Sequence, residues 1–261
     1  MSAISLNASS LRRFLVLPLL ALYILSGVLI VNVLYFLVPR TIFRRFIIAW
    51  MGVLLRLLRI KIILHGRFEA APVLIVANHV SWLDIPVLLV LLKPSIVSKK
   101  ELKHWPLIGK PAEKFGTLFL ARGDSEDTRL LSNQIAFLLT QRKKIAVFPE
   151  GTTTNGRTVQ RFYPRLFQAA IYAKAPVQPV AICYTDKYNR LDDKAPFVGD
   201  DDLLSHLWRF VGSAKTIVHV HALPPLMSAG ASRRILADKA HSVIVATLSQ
   251  YWKDQERRRL P

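Results

Sequence analysis

The stretch "PVLIVANHVSWLD", Pro72 to Asp84, decides how this chain is read. Its first half is a continuous apolar run of strand length. The run ends at Asn78 and His79, and Asp84 follows five residues after the histidine. Ser81 suits a helix N-cap, Asp84 stands where a capping box is closed, and Pro86 marks an early helical turn. The residues therefore predict a strand, a turn and a helix. That turn lies at the edge where α/β folds place their ligands. There, an imidazole with an ordinary pKa near about 6.5 can take a proton from a hydroxyl. A carboxylate on its other nitrogen would fix the tautomer and stabilise the imidazolium. On one continuous helix the five-residue spacing would put His79 and Asp84 on different faces, whereas a turn lets them meet.

Outward from this stretch, strand-like and helix-like segments alternate. "SIVSKK", "TLFLAR", "KIAVFPEG" and "PVQPVAICY" read as strands, and Lys215 to His221 alternates apolar and polar residues. Ser125 to Gln141 repeats leucine and isoleucine at helical spacing, and Arg161 to Lys174 reads as a helix whose regular part begins after Pro164. Ser232 to Trp252 reads as a closing helix capped by Ser232. Glu101 to Phe115 holds two prolines and a glycine, which keeps any helix short. The loop from Thr185 to Asp202 is polar and reads as mobile. The alternation predicts an α/β fold with a mainly parallel, mixed sheet flanked by helices.

The N-terminal part differs. Phe14 to Val38 carries no charge over 25 residues, more than the roughly 20 that cross a bilayer core. Arg12 and Arg13 precede it and Arg40, Arg44 and Arg45 follow, so charge asymmetry gives no orientation. Phe46 to Leu64, with Arg56, Arg59 and Lys61 among apolar residues, reads as the second arm of a helix pair in one leaflet; a full span by the first helix is the alternative. The expected division is a membrane-anchoring helical segment over residues 1–64 and a catalytic domain over 65–261. The formal net charge of +19 calls for an anionic partner. At 52% hydrophobic residues and a mean hydropathy of +0.30, that partner is expected to be anionic membrane lipid, not nucleic acid. Cys183, the single cysteine, cannot build a disulfide framework and reads as core. His219, His221 and His104 have no companion ligand motif, so no metal is expected.

Three further segments follow the first in order: "GTLFLAR" from Gly116 to Arg122, "FPEGTTTNG" from Phe148 to Gly156, and "VQPV" from Val177 to Val180. Asn-His-x4-Asp, Gly-x-x-Phe-x-x-Arg, Phe-Pro-Glu-Gly-Thr and a proline-containing strand together resemble the signature of the glycerolipid (lysophospholipid) acyltransferases. That family includes the bacterial 1-acylglycerol-3-phosphate acyltransferases. The resemblance covers Pro72 to Thr185. It implies catalysis by His79 as base with Asp84 orienting it. It implies acceptor binding by Arg122, whose planar fork suits phosphate oxygens, and by Gly116, Glu150, Gly151 and Thr152. It also implies an acyl-CoA or acyl carrier protein thioester as co-substrate, and no cofactor.

The acceptor implied first is 1-acylglycerol-3-phosphate, giving phosphatidic acid at a bacterial inner membrane with the site on the cytoplasmic face. Many relatives that take this acceptor carry a basic residue after Glu-Gly-Thr; here Thr153 and Thr154 stand there. Lyso-ornithine lipid is therefore the alternative acceptor, with Arg157, Arg161 and Arg165 as downstream compensation for a phosphate. Two other classes remain: a thioesterase or lipase, for which no Gly-x-Ser-x-Gly elbow is present, and a nonenzymatic basic protein binding membranes or nucleic acid through runs such as Lys99-Lys100 and Arg257 to Arg259.

Overall fold

The computed structural model describes residues 8–106, 108–121, 125–212 and 215–258. Two helices lead. α1 (Ala8–Leu37) carries no charge from Phe14 onward, and α2 (Arg40–Leu57) follows after Pro39. Leu20, Gly27 and Val31 lie on the buried side of α1, three turns from first to last and thus on one stripe. Gly27 is required there because a Cβ would collide with the Trp50 indole of α2. From Arg12 to Leu37, α1 is long and apolar enough to cross a membrane.

The sequence expects a second arm reaching Leu64, and the structure differs. α2 stops at Leu57, Arg59 takes a positive φ of 58°, and β1 (Ile60–Gly66) begins. The division at 64/65 thus falls inside a strand that pairs with β7 (Thr216–Ala222) along its whole length.

Among the described residues seven strands form one sheet in the order β1-β7-β6-β2-β5-β3-β4. The others are β2 (Val73–Ala77), β3 (Ser95–Lys99), β4 (Leu118–Leu120), β5 (Lys144–Val147) and β6 (Val177–Thr185). Every pair is parallel except β6 with β7. Helices α3 (Asp84–Leu92), α4 (Gly109–Phe115), α5 (Ser125–Thr140), α6 (Gln168–Tyr172), α7 (Leu203–Val211) and α8 (Arg233–Arg257) connect and flank it. Ser232 caps α8 as expected, accepting from Ile235 N at 3.2 Å. The helix expected from Arg161 is shorter: a 3₁₀ turn over Pro164–Phe167 and then α6. Proline at its start and Ala173 and Lys174 at its end leave room for little more.

Alternation along the strands sends side chains to two cores. Leu74, Val76, Ile145, Val147, Ala181 and Cys183 meet α5, α6 and α8. Ile75, Ala77, Ala146, Ile182 and Tyr184 face the side that carries α1, α2, α3 and α7. Continued by two residues, this parity puts His79 and Phe148 on the α1–α2 side as well.

Candidate active site

β2 is the central strand, buried at all five positions between β6 and β5. It ends one residue before Asn78, whose buried amide continues the sheet where the backbone leaves it. Asn78 Nδ2 donates to Ile182 O at 2.9 Å, and Ile182 N donates to Asn78 Oδ1 at 2.7 Å. That reciprocal pair fixes the exit angle of the chain and with it the position of His79.

His79 and Asp84 meet. The turn between them is tight, and Asp84 is the first residue of α3. Asp84 Oδ2 lies 2.8 Å from His79 Nδ1 and accepts the backbone amides of Val80 at 2.8 Å and Ser81 at 3.0 Å. The expected capping box is half made: the acidic side chain reaches back, but the Ser81 hydroxyl is buried without a partner and caps nothing. Asp84 Oδ1 accepts the hydroxyl of Tyr184, from β6, at 2.6 Å. Burial first, and then Asp84, hold this phenol well above its usual pKa, so it remains a donor.

With Nδ1 on the carboxylate, His79 presents Nε2 as the nitrogen free to accept a proton. Nε2 makes no hydrogen bond among the described residues, and the side chain is 17% exposed. Phe148 stacks on the ring, centroids 4.0 Å apart and planes at 17°, which leaves the imidazole little freedom to turn.

The "FPEGTTTNG" loop wraps this turn. Glu150, 3% exposed, accepts the backbone amides of His79 and Gln160, each at 2.6 Å. Burial raises its pKa to about 7 against the pull of those two amides. The carboxylate is thus placed beneath the histidine and spent on backbone. Gly151 turns with a φ of +69°, and a Cβ there would stand 3.4 Å from the Tyr163 ring. Thr154 N donates to His79 O at 2.8 Å, and the Thr153 hydroxyl donates to Phe197 O. Asn155-Gly156 forms no hairpin; Asn155 Oδ1 accepts Arg157 N at 3.0 Å, and Gly156 packs on Val80. Thr152 is exposed.

The amides of His79, Val80, Ser81, Gly151 and Thr154 are all taken. The loop amides of Glu150, Thr152, Thr153, Asn155 and Gly156 have no acceptor among the described residues.

The polar loop after β6 is held in place. Phe197 N donates to Val80 O at 3.0 Å, Trp82 Nε1 donates to His206 Nδ1 at 3.2 Å, and His206 Nε2 reaches Ala195 O at 3.1 Å. Gly116 ends α4 with a φ of +105° and lies against the guanidinium groups of Arg40 and Arg44 and the hydroxyl of Ser95, with none of the residues around His79 among those neighbours. Arg122 lies outside the described residues. Arg157 is exposed and 3.7 Å from Asp193; Arg161 precedes the 3₁₀ turn, so it shares no helical face with Arg165.

Elsewhere, His65, His219 and His221 stack at the β1–β7 edge. Burial, then neighbouring imidazoles, push His219 and His221 down to about 4. Among the described residues no group of three or more His, Cys, Asp or Glu side chains is placed to hold a metal. Cys183 is buried, which pushes its thiol pKa up.

A family model described as Acyltransferase matches residues 59–183. The chain is 44% identical over 195 residues to a lyso-ornithine lipid O-acyltransferase of Pseudomonas aeruginosa, covering 75% of each chain. It is 35% identical over 148 residues to a 1-acyl-sn-glycerol-3-phosphate acyltransferase of Neisseria meningitidis serogroup B, covering 57% of this chain and 58% of that one. Its fold matches the crystal structure of the 1-acyl-sn-glycerophosphate (LPA) acyltransferase PlsC from Thermotoga maritima with a TM-score of 0.68 over 93% of this chain and 97% of that one. At 19% identity that match speaks for the fold alone. Matched in sequence over three quarters of a relative and built around a histidine seated on a buried aspartate, the chain belongs to the acyltransferase family and is an enzyme.

Proposed function

We propose that this enzyme moves a fatty acyl group from a thioester, acyl-CoA or acyl carrier protein, to the free hydroxyl of a lysolipid. His79 Nε2 takes the hydroxyl proton as the oxygen attacks the thioester carbonyl. The tetrahedral intermediate carries its negative oxygen toward loop amides without an acceptor among the described residues, with those of Thr152 and Thr153 as the candidates. Collapse breaks the carbon–sulfur bond, and the imidazolium returns its proton to the thiolate, so ester and free thiol leave and His79 is restored. Asp84 keeps Nδ1 protonated throughout. The observation that carries this reading is the 2.8 Å contact of His79 Nδ1 with Asp84 Oδ2, which leaves Nε2 open.

The acceptor is a lyso-ornithine lipid in the first reading. Two features support it: the relative at 44% identity is named for that acceptor, and Gly151 is followed by three threonines with no cation before Arg157. Lysophosphatidic acid is the second reading, favoured by the Neisseria relative. The enzyme works at a bacterial inner membrane with its site on the cytoplasmic side, where thioester donors are found.

Purified protein with radiolabelled acyl-CoA and each lysolipid tests both. Labelled diacyl ornithine lipid supports the first reading and labelled phosphatidic acid the second. Free fatty acid as the sole labelled product would replace transfer by hydrolysis.

A further inference from the structure

α1 touches the catalytic domain at both ends. Near its start, Arg13 Nε donates to Trp208 O of α7 at 3.1 Å, and its guanidinium lies over the Trp208 indole at 5.2 Å. Gly212, just past α7, sits so close to that guanidinium that a Cβ would collide with it. Near its end, Lys114 of α4 donates to Val38 O at 2.9 Å and to Tyr35 O. A helix of 30 residues is about 45 Å long, and this one is held along the domain instead of standing away from it. Its outer stripe, with Leu15, Leu19, Leu22, Leu29 and Phe36 exposed, therefore runs beside the domain as one continuous apolar band.

α7 adjoins the start of α1 through the Arg13–Trp208 contact. Asp202 caps it, accepting Leu204 N at 3.0 Å and Ser205 N at 2.9 Å. His206, Leu207, Phe210 and Val211 fill the core beneath it. A helix at a water surface shows polar residues on its other face. Here the other face carries, besides exposed Ser205, Leu204, 78% exposed, and Trp208, 50% exposed, one turn apart, with half-exposed Leu203 at the helix start. The nearest charge on the helix, Arg209, is closed onto Asp201 at 2.7 Å. Arginine beside tryptophan at the margin of an apolar band is the composition of a membrane–water interface.

We propose that α7 is a third membrane-contacting element, whose Leu203, Leu204 and Trp208 enter the boundary between headgroups and acyl chains of the leaflet that receives α1. The occupant is lipid because the patch adjoins α1, the helix long and apolar enough to cross a membrane, through the Arg13–Trp208 contact.

The test uses full-length protein in phosphatidylethanolamine–phosphatidylglycerol vesicles. Cys183 is buried, so an environment-sensitive fluorophore can be placed on Leu22→Cys, Leu204→Cys or Tyr188→Cys. Lipid-borne nitroxide is expected to quench the labels at 22 and 204 by about twofold or more, and iodide the label at 188. Quenching at 22 with a water-exposed label at 204 overturns the proposal while leaving α1 in the bilayer. A label at 204 hidden from both quenchers means protein, a second copy or a partner, covers α7, and overturns it too. No lipid quenching at either position removes the membrane seat altogether, and the proposal with it. Acyl transfer is not read, so none of these outcomes depends on the substrate.

Discussion

Tyr184 donates its phenolic hydrogen to Asp84 Oδ1 at 2.6 Å, on the carboxylate oxygen opposite the one that holds His79. The three side chains form a line running from the buried end of β6 to the open nitrogen of the histidine. Tyr184→Phe removes only the hydroxyl. It is expected to lower kcat about tenfold or more, because a hydrogen bond to a charged group is worth roughly 1.5–3 kcal/mol. KM for either substrate should hardly change, since the hydroxyl touches neither. Steady-state kinetics beside a urea melt separate lost positioning from lost stability.

His79→Ala and Asp84→Asn are expected to reduce transfer by roughly 10³-fold or more. The asparagine keeps the shape but must turn an N–H₂ toward groups that themselves donate: Val80 N, Ser81 N and the Tyr184 hydroxyl. Co-sedimentation with vesicles should be unchanged in both variants. A variant that retains most of its rate removes the base from His79.

Glu150 gives the fold a pH dependence of definite sign. Its pKa rises from 4.5 unfolded to about 7 in the fold, so between these values the folded chain holds a proton that the unfolded chain has lost. Its contribution is therefore greatest below pH 4.5 and falls as pH rises through about 7. Between pH 5 and pH 8, Glu150→Gln should lose less Tm than the parent. Parallel melting curves for the two proteins across this range would contradict the assignment.

Gly151→Ala forces a side chain into a left-handed turn against Tyr163. The expected cost is about 1–2 kcal/mol, with a fall in kcat because the next two residues carry amides proposed to meet the oxyanion. Thermal melts and initial rates at saturating substrate check both.

How legible the fold is from sequence depends on where its signals lie. β2, β5 and β6 can be read because each is a short apolar run closed by polar or turn residues. β1 cannot, because Ile60 to Leu64 continues the apolar run of α2 and only the positive φ of Arg59 separates them. α7 does carry a helical period, with Leu207, Phe210 and Val211 turned inward and Asp202 as its cap, but its nine residues stand between a polar loop and β7 and go unread. His79 and Asp84 are readable as a pair because five residues separate them. Tyr184 is a hundred positions from Asp84 and looks like ordinary strand core. Its role emerges once Ala77 is known to pair with Val180, which fixes β6 against β2 and brings Tyr184 to the Asp84 side. The Ser81 hydroxyl is the reverse case, a textual cap signal that the turn leaves idle.

Leu20 and Val31 of α1 belong to the same core as Ile75 and Val180 of the sheet. The leading helix is thus a wall of the building and not a rope tied to it. A shortened protein beginning at Arg40, the usual route to a detergent-free sample, would lay bare the greasy face of α2 around Trp50, against which Tyr23 and Gly27 pack. It should precipitate on expression, and an intact version held in detergent or nanodiscs is the form suited to crystals and assays.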